Sequence, residues 1–117
     1  MIGTEVNGQG TIAVEGGQAS FDFSAQTPLK SGPHFLNYRD SANNFSFYTN
    51  KITQITFSLG HVQFSGTAKI GKHKKISFTV DAYDNGPNGA GDRFFISASN
   101  GYFAGGFLTG GDIAISH

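Results

Sequence analysis

The amino-acid sequence predicts an all-β domain, and three observations carry that prediction. Apolar and polar residues alternate along much of the chain with a period of two, which places them on opposite faces of a strand. Seventeen glycines separate these segments and twelve phenylalanines supply a core. No stretch shows the spacing of three and four residues that marks an amphipathic helix. We therefore expect about ten strands at roughly 8–12-residue spacing and no significant helix.

Two arrangements of these strands fit the pattern. The proline-bearing connection at residues 26–33 favours an antiparallel β-sandwich of the jelly-roll type. Glycines inside strands would help a closed β-barrel to bend, and a barrel is the alternative. The 117 residues suffice for one hydrophobic core but not for two. Residues 1–117 are accordingly expected to form a single β domain.

The first half of the chain predicts two pairs of strands. Residues 11–15 and 19–25 alternate on either side of a Gly-Gly turn, which predicts a hairpin. Residues 34–39 and 45–48 alternate again around the turn cluster at 40–44. The first pair carries its aromatic side chains on one face, which is expected to point inward. In residues 34–39 neither face is purely apolar, so partial cover on both faces is expected.

The second half contains the clearest alternation. Residues 55–59 and 62–70 predict a hairpin around Gly60. Residues 94–99 and 102–109 flank Asn100-Gly101, a dipeptide that favours a tight hairpin turn because both positions tolerate positive φ. Residues 113–115 predict a short last strand after Gly110-Gly111. The strand between these hairpins has an inward row with four members: Ile76, Phe78, Val80 and Ala82.

Composition and charge exclude several classes of function. Eight basic and eight acidic residues give a net charge of zero, which removes the field on which nucleic-acid binding depends. No apolar run is long enough to cross a membrane, and the absence of cysteine excludes thiol chemistry. The first ten residues lack the basic and apolar regions of a signal peptide, so a targeting signal is expected outside this sequence.

The best candidate for a metal site is the loop at residues 81–92, DAYDNGPNGAGD. Its oxygen-bearing side chains suit a hard cation such as Ca²⁺, and its glycines permit the bends that such a site requires. The spacing departs from an EF-hand, because a tyrosine occupies the third position and an aspartate the last. A turn whose Asp and Asn side chains bond their own backbone, with Arg93 paired to a carboxylate, is the competing interpretation. The candidate ligands are Asp81, Asp84, Asn85, Asn88 and Asp92.

No arrangement of residues indicates catalysis. The four histidines lack the spacing of a zinc site, no serine lies in a nucleophile elbow, and no pair of carboxylates is singled out by its spacing. We therefore expect a protein that is not an enzyme, with Ca²⁺ as the one candidate cofactor.

Two groups of side chains are candidates for ligand binding. A flat aromatic ring can cover one face of a sugar, so exposed tyrosines indicate a carbohydrate- or small-ligand-binding module. The same tyrosines also suit the rim of a core, where only the hydroxyl group is exposed to solvent. The candidates are Tyr38, Tyr48, Tyr83 and Tyr102. The cluster of basic residues at 69–75 is typical of a solvated turn that guards a strand edge, and contact with an anionic polymer is the alternative.

Four segments carry a resemblance to a known family: GPHFLNYRD (32–40), FSGTAKI (64–70), FTVDAYDNGPNGAGDRFFI (78–96) and GYFAGGFLTGGDIAI (101–115). They resemble the C-terminal β domain of large secreted or surface-attached bacterial proteins, sometimes called the post-COAP domain. The resemblance implies a non-catalytic accessory module that is secreted or displayed at the cell surface. It implies a structural or adhesive role, with a cell-surface glycan or a protein as the partner. The oligomeric state is left open by the sequence.

Overall fold

The computed structural model describes residues 4–70, 74–86 and 91–116. One three-residue 3-10 turn, Leu29–Ser31, is the helical element of these ranges, and no helix within them has the length and apolar character that crossing a bilayer requires. The strands are β1 (Glu5–Val14), β2 (Gly17–Gln26), β3 (Phe35–Asp40), β4 (Phe45–Thr49), β5 (Ile52–Ser58), β6 (His61–Ile70), β7 (Lys74–Tyr83), β8 (Arg93–Ala98) and β9 (Phe103–Ser116).

The nine strands form a single antiparallel sheet in the order β4-β3-β2-β1-β9-β8-β7-β6-β5. The first strand pairs with the last, which joins the two halves of the chain into one sheet, and this sheet curls into a nearly closed barrel. This confirms the all-β prediction, and the arrangement is the barrel that was the alternative to a two-sheet sandwich. The Cα atoms extend over 40 × 30 × 19 Å, so the barrel is flattened.

The described residues form nine strands rather than about ten, and the barrel closes through an unusual step between β4 and β5. Neighbouring strands of the sheet run in opposite directions, and β4 and β5 are its first and ninth strands. These two edge strands therefore run in the same direction. Only Asn50 and Lys51 separate them. The two strands are therefore successive parts of one extended stretch that pairs first with β3 and then with β6.

The gap between β4 and β6 is bridged by hydrogen bonds at this junction. The hydroxyl group of Thr49 donates to the carbonyl oxygen of Thr67 at 2.6 Å, and the backbone N–H of Thr67 donates to the carbonyl oxygen of Lys51 at 3.0 Å. A Cβ atom at Gly66 would overlap this Lys51 carbonyl oxygen. The glycine therefore permits the junction to approach β6 backbone to backbone.

Aromatic side chains fill the interior of the barrel. The rings of Phe21 and Phe94 stack in parallel with centroids 4.1 Å apart, and Phe23 packs against Phe64 at 5.3 Å. Burying one such ring stabilises the fold by about 1.5–3 kcal/mol. The inward row expected for β7 is buried as predicted, with Ile76, Phe78, Val80 and Ala82 each at most 4 % exposed.

Candidate functional site

The loop that follows β7 is held by a carboxylate that it buries. Asp92 has no exposed surface, and its Oδ1 atom accepts the backbone N–H groups of Asn85 at 2.8 Å and Gly86 at 3.3 Å. Its Oδ2 atom accepts the backbone N–H of Ile113 at 2.9 Å. Both oxygens are thus engaged by backbone donors, so their hydrogen-bonding capacity is met within the protein.

The other acidic and amide side chains of the loop are also bonded to the backbone. The Oδ2 atom of Asp84 accepts the N–H of Ile115 at 2.9 Å, and the Nδ2 group of Asn85 donates to the carbonyl oxygen of Gly91 at 2.9 Å. Asp84 and Asp92 therefore both fasten this loop to β9. Asn88 lies outside the described residues.

Asp81 occupies a different surface. It lies on the outer face of β7, where its Oδ1 atom contacts His61 Nε2 at 2.9 Å and accepts the side-chain amide of Gln63 at 3.1 Å. The three aspartates are thus directed to three different sets of partners. In the part of the chain that the structure describes, no group of three histidine or acidic side chains has the arrangement of a metal site. These contacts favour the interpretation of the loop as a structural turn.

Two of the four candidate tyrosines belong to the core. Tyr38 is fully buried, and its hydroxyl group lies 2.6 Å from that of Tyr102. Tyr102 in turn donates to Oδ2 of the buried Asp40 at 2.6 Å. Burial raises the pKa of Tyr38 to about 12, and burial with the hydrogen bond to Asp40 raises the pKa of Tyr102 as well. Asp40 also accepts the backbone N–H of Asn43 at 3.1 Å. The two tyrosine hydroxyl groups therefore hold the carboxylate that stabilises the turn between β3 and β4.

The other two tyrosines lie on the outer surface. Tyr48 on β4 is 61 % exposed and lies beside Phe35, with ring centroids 6.2 Å apart. Tyr83, at the end of β7, stacks on the imidazole of His61 with centroids 4.4 Å apart and an interplanar angle of 14°. The structure therefore divides the four tyrosines among the core and two separate surfaces and does not assemble them into one platform.

A row of stacked side chains crosses the outer face of four strands. The register places His61 of β6 opposite Tyr83 of β7, Tyr83 opposite Arg93 of β8, and Arg93 opposite Phe107 of β9. The Arg93 guanidinium carbon lies 4.9 Å from the centre of the Tyr83 ring and 5.5 Å from that of Phe107. An arginine between two rings combines cation–π attraction with planar stacking. We call these four residues the cross-strand row.

Arg93 was expected to pair with a carboxylate of the loop, and the structure places it between two aromatic rings. Among the described residues the one close contact between a basic and an acidic side chain joins His61 Nε2 to Asp81 Oδ1 at 2.9 Å, and the Nε atom of Arg93 is buried without a hydrogen-bond partner. Sequence reasoning missed the row because its members come from four strands. Part of the row could have been predicted from the sequence. Tyr83 and Arg93 flank one loop, and they lie opposite each other when the strands on either side of this loop pair as a hairpin.

The row continues into a wider aromatic surface. Phe95 is next along the outer face of β8, and its ring meets that of Tyr83 edge-on with centroids 6.1 Å apart. The ring also covers Gly105 on β9, where an added Cβ atom would overlap it. Phe107 is 64 % exposed and Phe103 is 68 % exposed. The outer face of β6–β9 therefore presents rings, one guanidinium group and the paired Asp81 on a single wall of the barrel.

Comparison with known proteins identifies no relative: no family model, no curated protein and no solved structure matches this chain.

Proposed function

We propose that this chain is a non-catalytic accessory module of a secreted or surface-attached bacterial protein, and that it adheres to glycans through the outer face of β6–β9. The cross-strand row is the observation that carries the proposal. Exposed rings beside hydrogen-bonding side chains suit a sugar, because the ring covers the apolar C–H face while polar groups bind its hydroxyls. Phe107 offers the ring, and Arg93, Gln63 and Asp81 offer the polar contacts.

Two further features support a binding role on the outside of the barrel. Packed aromatic rings occupy the interior, which favours a ligand on the outer wall over one in a central cavity. The buried carboxylates of Asp40 and Asp92 are bonded to neighbouring donors, which gives them a structural role. The extracellular location and the membership in the C-terminal β-domain family are supported by the motifs in residues 64–70, 78–96 and 101–115.

Retention on immobilised neutral polysaccharides tests this proposal. Wild-type protein is applied to cellulose, chitin, xylan and β-glucan, together with the F107A and Y83A variants. Removal of one stacking ring is expected to weaken binding by about tenfold, since such contacts contribute about 1 kcal/mol beyond the area that they bury. Y48A is the matched control, because it removes an equally exposed ring from a different strand. The proposal fails if none of the polymers retains the wild type, or if F107A, Y83A and Y48A bind equally well.

A further inference from the structure

A second surface site lies at the junction where β4 passes into β5. It is a pocket of about 280 Å³ between this junction and the ends of β6 and β7. Its lining consists of Tyr48, Thr49, Asn50, Lys51, Thr67, Ala68, Lys69 and Lys75. Three of these eight residues are lysines and none is acidic, so the lining is strongly cationic in a chain whose net charge is zero. We call it the lysine pocket.

The fold brings these three lysines together from separate parts of the sequence. Lys69 of β6 lies directly opposite Lys75 of β7 in the ladder. Two like charges in that relationship destabilise a sheet. Lys51 reaches the same pocket because its carbonyl oxygen accepts the N–H of Thr67 on β6. The sheet thus brings three lysine residues to one small pocket, where an anion would relieve the repulsion between their charges.

The floor of the pocket is rigid. The hydroxyl group of Thr49 accepts the backbone N–H of Lys51 at 3.0 Å while it donates to the Thr67 carbonyl oxygen at 2.6 Å. Thr49 and Ala68 are buried, whereas the neighbouring ring of Tyr48 is 61 % exposed. A floor held by hydrogen bonds, a rim of lysines and the exposed ring of Tyr48 together match a sugar that carries a negatively charged substituent.

We propose that the lysine pocket binds a sulfate or phosphate ester group of an anionic surface polysaccharide, with the sugar ring against Tyr48. Lysine ammonium groups act as point charges and suit a tetrahedral oxyanion that can be approached from several sides, whereas the planar carboxylate is better matched by the arginine fork. This site is separate from the cross-strand row, so it does not depend on the proposed binding of neutral glycans.

Protection of the strand edge is the competing role for these lysines, because charged side chains near an unpaired edge prevent association between sheets. The β4 edge faces this pocket without a continuous ladder to β6. The two roles predict different results when the lysine charges are removed. Removal of the charges abolishes polymer binding if the lysines form a site, and it causes self-association if they only guard the edge.

The test uses the whole chain and the paired substitution K69Q/K75Q. Heparin carries the sulfate ester, phosphomannan the phosphate ester, polygalacturonate a carboxylate, and dextran is neutral. Wild type is expected to bind heparin, phosphomannan or both, in a salt-sensitive manner. K69Q/K75Q is expected to bind at least about tenfold more weakly, since each lost charged contact is substantial. Y48A is also expected to weaken binding, because it removes the ring against which the sugar is proposed to lie.

The matched control is K30Q/R39Q, which removes the same charge from residues outside the pocket lining. Comparison of heparin with phosphomannan identifies which ester is preferred, and thermal melting shows that each variant is folded. The proposal is overturned if K30Q/R39Q weakens binding as much as K69Q/K75Q, or if polygalacturonate binds as tightly as the two esters. It is equally overturned if K69Q/K75Q changes only the oligomeric state measured by light scattering.

Discussion

The carboxylate of Asp92 accepts the backbone N–H of Ile113 at 2.9 Å in the buried interior. Asp92 immediately precedes β8 and Ile113 lies in β9, so one side chain ties a loop to the strand that pairs with β1. The remaining oxygen holds the loop itself through Asn85 and Gly86.

We expect the D92N substitution to destabilise the fold by about 2–4 kcal/mol, because an amide retains one acceptor and turns an N–H group towards a backbone donor. The free energy of unfolding in urea measures this loss. D81N is the control: Asp81 lies on the outer surface with polar partners, and its substitution is expected to cost less than about 1 kcal/mol. Equal losses in the two variants would contradict the structural role of Asp92.

The melting temperature is expected to be the same in millimolar Ca²⁺ and in excess chelator. The oxygens of Asp92 and one oxygen of Asp84 already accept backbone N–H groups, so a cation would have to displace these donors. A ligand that binds only the folded state at free concentration L stabilises it by RT ln(1 + L/Kd) and so raises the melting temperature. A calcium-dependent rise that N88A abolishes would restore the metal interpretation of the loop.

The alternation of apolar and polar residues along the strands predicts part of this structure and leaves the rest undetermined. A period of two determines which side chains face inward, and the buried row from Ile76 to Ala82 follows from it directly. It does not determine which strands pair. The tandem course of β4 and β5 was therefore missed, as was the position of Arg93 between two rings, since both depend on register between strands far apart in the sequence.

Stability is expected to fall as the pH rises above about 10. Tyr38 has its pKa raised from 10.0 to about 12 in the folded protein, so the unfolded chain loses this proton first. Its contribution is complete below the unfolded pKa and disappears as the pH passes the folded pKa, for a total of about 2–3 kcal/mol. Urea unfolding at pH 8, 10 and 12 measures the slope. The Y38F variant is expected to show a shallower decline, and an identical slope in both proteins would refute this assignment.

A side chain at position 66 of β6 is expected to destabilise the junction between β4 and β5. G66A introduces a Cβ atom that overlaps the Lys51 carbonyl oxygen and lies 2.9 Å from Ile52 Cα. Since backbone atoms on both sides must shift, we expect a loss of about 1–3 kcal/mol in the free energy of unfolding. G110A is the matched control, because its nearest neighbour is the Thr11 hydroxyl at 3.4 Å. Equal stability of the two variants would show that the gap can widen without cost.

The antiparallel pairing of β1 with β9 determines how the module would respond to tension. Glu5 lies directly opposite Ser116, so both ends of the described fold leave the barrel side by side. Force applied between these ends acts along the hydrogen bonds of the β1–β9 ladder and loads them one pair at a time. The fold would therefore open by unzipping from this seam, at lower force than a domain whose terminal strands are sheared.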